Sequence, residues 1–457
     1  MFLRRTILAL GFMVLLGGGG LAYGAGPCFE PVATVSGKVR GVYEGPTDTC
    51  SWRGIPYAAA PVGALRWKAP QPALAWSEVR DGSKWGDRCM QGSGFMAGGG
   101  APGAGMSEDC LNLNIWRPQG PGPYPVMIWI HGGGYYVGAG NDPQYWGDRL
   151  AKAGNLIVVT INYRLGLLGF MAHPGLREED ANHTTGGYGA LDQVSALKWV
   201  HDNIESFGGD PNNITIFGQS AGGASVCSMV ATPLAKGLFQ RAIMQSGLCE
   251  LSQDLKDSYQ ITQTAMKTLG CGPDDLQCMR KLPAKKIADK AGGSLLKGFI
   301  YMPSHDGYVL SNTPLKMIES GNYNKVSFMA GTVLDEFGKA VKLTPQYYYT
   351  RPAQYETRLV KSFGMSPEQA KELAELYPHG LRGPAGRGPG PDVRGRRGHA
   401  VPGPSRDRGP GQGRQPGLVL PLRVSRHEVR KVYGLISHRG TALHLRFVRP
   451  LAEPDLL

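Results

Sequence analysis

The sequence predicts an α/β fold in which a mostly parallel sheet is covered by helices on both faces. Three observations predict it. Apolar runs rich in β-branched residues recur along the first two thirds of the chain. Between them the apolar spacing lengthens to three or four residues, the period of a helix face. At one strand-to-helix junction sits a serine between glycines, the G-x-S-x-G pattern of residues 218–222.

Taken in order, YPVMIWI (124–130) and LIVVTINYR (156–164) read as buried strands. Leu191, Val194, Leu197, Val200 and Ile204 line one face of a helix. NITIF (213–217) is a strand again, and a helical pattern follows Ser220. RAIMQSG (241–247) and KVSFMAGT (325–332) read as further strands. Strands alternating with helices imply parallel pairing with both faces covered.

The ends of the chain differ from this body. Arg4 and Arg5 precede an apolar run over 7–16, four glycines, and small residues at Ala22 and Gly24. That is the layout of a signal peptide, residues 1–24, cut before Ala25. The run is too short to span a bilayer. Pro27 directly before Cys28 argues against a lipid-anchored cysteine. The expectation is a secreted or periplasmic protein with no membrane anchor in the mature chain. Eight cysteines suit an oxidising compartment, and no C-x-x-C pair suggests zinc or redox chemistry. Cys271 and Cys278 have the spacing of a small loop staple, and Cys28 with Cys50 is an open pairing.

The net charge of +13 is carried mostly by the C-terminal tail. Residues 379–457 hold 15 Lys and Arg against 5 Asp and Glu. Of the 39 residues 379–417, 27 are Gly, Pro or Arg, and no periodicity survives there. Without interleaved aromatics this tail does not read as a nucleic-acid module.

The chemistry centres on Ser220. A serine hydroxyl needs a base, a tight turn that exposes it, and donors for the oxyanion. Gly218 and Gly222 permit a strained strand-to-helix turn with Ser220 at its tip. Upstream, His131-Gly132-Gly133-Gly134 follows a strand, where glycine amides meet a ligand unobstructed. Gly133, Gly134 and the N–H of Ala221 then form the oxyanion hole. His131 reads as a loop-packing residue, because it precedes the elbow.

With these residues in view, the chain resembles the type-B carboxylesterases, the α/β-hydrolase group that includes cholinesterases and para-nitrobenzyl esterases. FGGDPNNITIFGQSAGG (207–223) is similar to their serine signature, and SEDCLNLNIW (107–116) to their second signature. RGIPYAAAPVGALRWKAP (53–70), NYRLGLLGF (162–170) and GALDQVSALKWV (189–200) match as well. The resemblance runs from about residue 35 to about 377. It implies the α/β-hydrolase fold over 25–378 and an acyl-enzyme on Ser220 that hydrolyses small-molecule carboxylic esters. It implies no cofactor, no metal and no nucleic-acid partner. It places the triad carboxylate at Glu336, although spacing alone does not prefer Glu336 over Asp335. It implies disulfides Cys89–Cys110 and Cys271–Cys278, and Cys227 and Cys249 read as buried thiols. The loop over 90–109 lacks the tryptophan that holds choline in cholinesterases, and Gln219 replaces their glutamate. A choline ester is therefore not the expected substrate.

The family's histidine lies in a segment like G-A-x-H-G-x-E-L-P-Y-V-F, roughly 90–110 residues past the acid. His427, His438 and His444 fall in that window without its neighbours. Codon degeneracy permits YGLISHRGTALHLRF (433–447), read one nucleotide later, to spell H-x-A-E-L-P-Y-T-F. A Gly/Pro/Arg run is also what a shifted GC-rich frame gives. The reading is therefore a C-terminally incomplete hydrolase domain followed by a disordered or frameshifted tail over 379–457. The alternative is a catalytically inactive binding protein on the same fold, because the triad histidine is missing.

Overall fold

The structure is a computed structural model, and it describes residues 28–92, 100–293, 300–333, 354–357, 360 and 366–376. The described residues fall into two compact units, one ending at Gly331 and the other beginning at Thr332.

The first unit is built on an eight-stranded sheet. Its strands in chain order are β1 (Val42–Glu44), β2 (Thr49–Pro56), β3 (Asn112–Pro118), β4 (Tyr124–Ile130), β5 (Ile157–Ile161), β6 (Gly209–Gln219), β7 (Arg241–Gln245) and β8 (Ser327–Gly331). The spatial order is β8-β7-β6-β4-β5-β3-β2-β1. From β8 to β5 every pairing is parallel, and from β5 to β1 every pairing is antiparallel. All five residues of β5 are buried, which is why its sequence is continuously apolar apart from Thr160.

Four predicted strands coincide with β4, β5, β7 and β8 to within three residues at each end. β6 is longer than NITIF suggested, because its start at Gly209 precedes a register shift before Ile214. Asp210, Pro211 and the two asparagines look like a turn, and a bulge is where a strand tolerates them.

The helices that position the site are α1 (Asp148–Gly154), α2 (Tyr188–Asn203), α3 (Ala221–Ala231), α4 (Leu255–Leu269) and α5 (Pro314–Glu319). α2 buries more than its apolar stripe. Asp192, fully buried, takes two bonds from the Arg164 guanidinium, at 2.8 and 2.7 Å, and one from the Arg164 amide at 3.0 Å. A buried charge is tolerated only with such pairing. α3 is buried along its whole length and holds only small or apolar residues together with two serines. In the second unit the described helix is α6 (Pro367–Leu376), where the Ser366 hydroxyl donates to Glu368 at 2.8 Å.

Four disulfides cross-link the first unit, and no cysteine is free. Cys89–Cys110 and Cys271–Cys278 form as the resemblance implied, and Cys28 pairs with Cys50. Cys227 and Cys249 are not free thiols: they are bridged, with Cα atoms 5.4 Å apart. Both lie in apolar segments, so sequence context suggested inert thiols. What it did not show is that α3 and the segment after β7 run side by side. Arg66 ties the Cys89–Cys110 loop to the segment just past Cys278, with a bidentate grip on Glu108 at 2.7 and 2.6 Å and bonds to the carbonyls of Arg280 and Leu282.

Candidate active site

Ser220 stands between the end of β6 and the start of α3 with φ 56° and ψ −124°. Few non-glycine residues adopt such a backbone, and it costs on the order of 1–3 kcal/mol. Close packing enforces it. A Cβ on Gly218 would come 2.5 Å from the Gly222 carbonyl oxygen and 2.7 Å from that of Ile130. A Cβ on Gly222 would collide with the same Ile130 oxygen. Both glycines are therefore needed so that α3 can start directly against β4.

The serine hydroxyl does not cap its helix, so it is not consumed by the fold. The first intrahelical bond runs from the Ala224 amide to the Ser220 carbonyl, at 2.9 Å. The amides of Ala221, Gly222 and Gly223 therefore remain without helical partners, at the positive end of the α3 dipole.

The glycine loop after β4 lies directly against the elbow. A Cβ on Gly132 would stand 3.2 Å from the Ser220 Cβ and 2.5 Å from the Gln219 carbonyl oxygen. Gly133 and Gly134 have φ of 113° and 62°, conformations a side chain would strain. The loop folds back on itself through bonds from the Tyr136 and Val137 amides to the Gly133 carbonyl, both 3.1 Å.

His131 is fully buried. Its ring stacks on Tyr163 with centroids 4.4 Å apart, and Nδ1 lies 2.9 Å from the Gly132 carbonyl. Burial holds its pKa down to about 4, so the ring is neutral at ordinary pH. It packs the loop, as the sequence suggested.

Gln91 was not anticipated. It is buried, and its amide exchanges two bonds of 2.9 Å with the backbone of Gly138. This ties the Cys89–Cys110 loop to the glycine loop. A glutamine two residues after a cysteine gave no sequence signal of that role. Glu336, with its neighbour Asp335, lies outside the described residues, as do His427, His438 and His444.

Residues 30–373 match the carboxylesterase family model. The chain belongs to the carboxylesterase family. It is thereby a carboxylic ester hydrolase of the serine type, on the α/β-hydrolase fold. It is 38% identical over 358 residues to the para-nitrobenzyl esterase of Bacillus subtilis (strain 168), covering 77% of this chain and 71% of that one. It is 39% identical over 354 residues to the fumonisin B1 esterase of Sphingopyxis macrogoltabida, covering 76% and 62%. The crystal structure of the Geobacillus stearothermophilus carboxylesterase at pH 6.2 superposes with a TM-score of 0.69 and 37% identity, covering 78% of this chain and 71% of that one. These relatives are named as esterases, which gives the binding-protein alternative no support.

Among the described residues no helix is long and apolar enough to cross a membrane, and no cluster of three or more His, Cys, Asp or Glu is arranged to hold a metal ion.

Proposed function

We propose that this family member hydrolyses small carboxylic esters through an acyl-enzyme on Ser220. The observation that carries this is the backbone of Ser220, held at φ 56° with the glycine loop packed against its Cβ. The Ser220 oxygen attacks the ester carbonyl carbon. Gly133, Gly134 and the Ala221 amide donate to the oxyanion as the C–O bond polarises. The alcohol leaves with a proton, and water then releases the acid. Glu336 orients the base and offsets its charge. His131 is excluded as that base, because Nδ1 is committed to Gly132 and burial keeps the ring from taking a proton.

Residues 1–24 act as an export signal. The four disulfides support this, since such bonds persist in oxidising compartments. Residues 25–378 are the hydrolase domain, and residues 379–457 are out of frame. The family match ends at residue 373, just before the composition changes. The loop over 90–109, with no tryptophan, disfavours choline esters.

The test is Ser220→Ala in a chain that turns over p-nitrophenyl esters. The rate falls by about six orders of magnitude or to background. Unchanged turnover would sink the assignment.

A further inference from the structure

A second Ser-His-Asp array lies outside the Ser220 site. Ser252 and Asp254 flank Gln253 in the segment between β7 and α4, and His305 lies in the segment before α5. Two backbone bonds hold the segments together. The Gln253 amide donates to the Pro303 carbonyl at 3.0 Å, and the His305 amide to the Gln253 carbonyl at 2.9 Å. In such an extended pairing, residues two apart share a side. Ser252 and Asp254 accordingly both reach the one imidazole. His305 Nε2 is 2.7 Å from Ser252 Oγ, and Nδ1 is 3.1 Å from Asp254 Oδ1.

The partners fix the chemistry. An ionised carboxylate only accepts, so in the neutral imidazole Nδ1 carries the proton and Nε2 offers its lone pair to the serine hydroxyl. That is the tautomer and the connectivity of an activated serine.

Two observations weigh against a purely structural clamp. Asp254 occupies the N-cap of α4, where its carboxylate would stabilise the helix by about 1 kcal/mol. It makes no capping bond and holds His305 instead. Ser252 and His305 are partly exposed and Asp254 is exposed, so burial does not force the three polar groups to pair.

We propose that Ser252 is a second acyl-accepting serine, specific for activated acyl donors such as aryl esters. Ser252 Oγ bonds to the acyl carbon while its proton passes to His305 Nε2. The bond from that carbon to the aryl oxygen breaks, and the phenol leaves with the proton. Water then attacks acyl-Ser252 with His305 taking its proton, which releases the carboxylic acid and restores the serine. Among the described residues no glycine loop accompanies this array. A missing oxyanion donor costs about 10²–10³ in rate, and that restricts the site to good leaving groups. Asp254 positions the imidazole and does not touch the acyl group.

The test uses the full chain carrying Ser220→Ala and an alkyl fluorophosphonate, with the adduct located by peptide mass mapping. One adduct on Ser252 is expected. Adding His305→Gln lowers its rate of formation by about 10²-fold. Asp254→Asn lowers it as well, and Asp254→Glu restores it, which a merely folded scaffold would not reproduce. Ser252→Ala abolishes the adduct and serves as the second variant if His305→Gln does not fold. No adduct on Ser252 overturns the proposal, and so does an adduct insensitive to His305→Gln in a folded variant. The reading of Ser220 stands or falls separately, on the peptide carrying Ser220 in the unsubstituted chain.

Discussion

The amide of Ser220 donates to the carbonyl of Gln245 at 2.9 Å. This bond continues the parallel pairing of β6 with β7 one residue past Gln219, into the turn itself. The strained residue is therefore fixed on both sides, by the β7 end and by the glycine loop after β4.

That arrangement separates stability from function at a single position. Ser220→Gly keeps the turn and removes the cost of a side chain at φ 56°. It should raise the unfolding free energy by about 1 kcal/mol while eliminating the proposed nucleophile. Gly222→Ala should do the opposite and destabilise by about 1–3 kcal/mol, because its methyl meets the Ile130 carbonyl. Urea unfolding of both variants checks the pair. Equal effects of the same sign would show that the turn is not strained as described.

The bridge between Cys227 and Cys249 should contribute about 3 kcal/mol, from the loop entropy of its 22-residue separation. Oxidised protein should show no thiol reactive to Ellman's reagent after denaturation. The double variant Cys227→Ala with Cys249→Ala should unfold at lower denaturant. Two free thiols in the oxidised, denatured chain would instead restore the expectation drawn from sequence.

How much was legible follows from the range of each interaction. The elbow, the glycine loop and strands β4 to β8 were readable because their signals are local: runs of Val and Ile, then glycines at fixed offsets from a serine. The antiparallel edge from β1 to β3 was not read as strands, since RGIPYAAAP and CLNLNIW stood out first as motifs. The Cys227–Cys249 bridge and the Gln91–Gly138 clamp depend on segments brought together only by the sheet order. Arg164 with Asp192 is similar: 28 residues separate the two charges, and neither has a local pattern that names its partner. Glu336 and the three candidate histidines lie outside the described residues, so Glu336 is named by family resemblance alone and no histidine is assigned as the base.

His131 sets a pH dependence. Its folded pKa of about 4 lies below the ordinary 6.5, so between those values the unfolded chain binds a proton that the folded chain does not. The stability linked to this group is complete above pH 6.5 and declines as pH falls toward 4, by about 3 kcal/mol in all. The ring C–H resonances of His131 should stay at their neutral positions down to about pH 5. A midpoint near 6.5 in the folded protein would mean that the ring is not buried as described.

The chain as written should hydrolyse esters poorly, and a one-nucleotide frame correction near Pro378 should restore activity. Chemically, Ser220 needs a base to take its proton, and none of His427, His438 and His444 has the sequence neighbours of the family's histidine. An oxyanion hole without a base retains only about 10³–10⁴ over the uncatalysed rate. Residues 379–417 are mostly Gly, Pro and Arg. Such a run lacks the apolar periodicity needed to cover a sheet edge. Among the described residues β8 is the outermost strand on its side of the sheet, and Met329 on it is 44% exposed. An edge left uncovered invites association between chains. Resequencing the gene around Pro378, followed by side-by-side expression of both versions, decides the matter. The corrected chain should be more soluble and turn over short-chain p-nitrophenyl esters at least a thousandfold faster, on the order of a restored general base. If the written chain is soluble and runs at an ordinary enzymatic rate, the frame is intact and His427, His438 or His444 serves as the base.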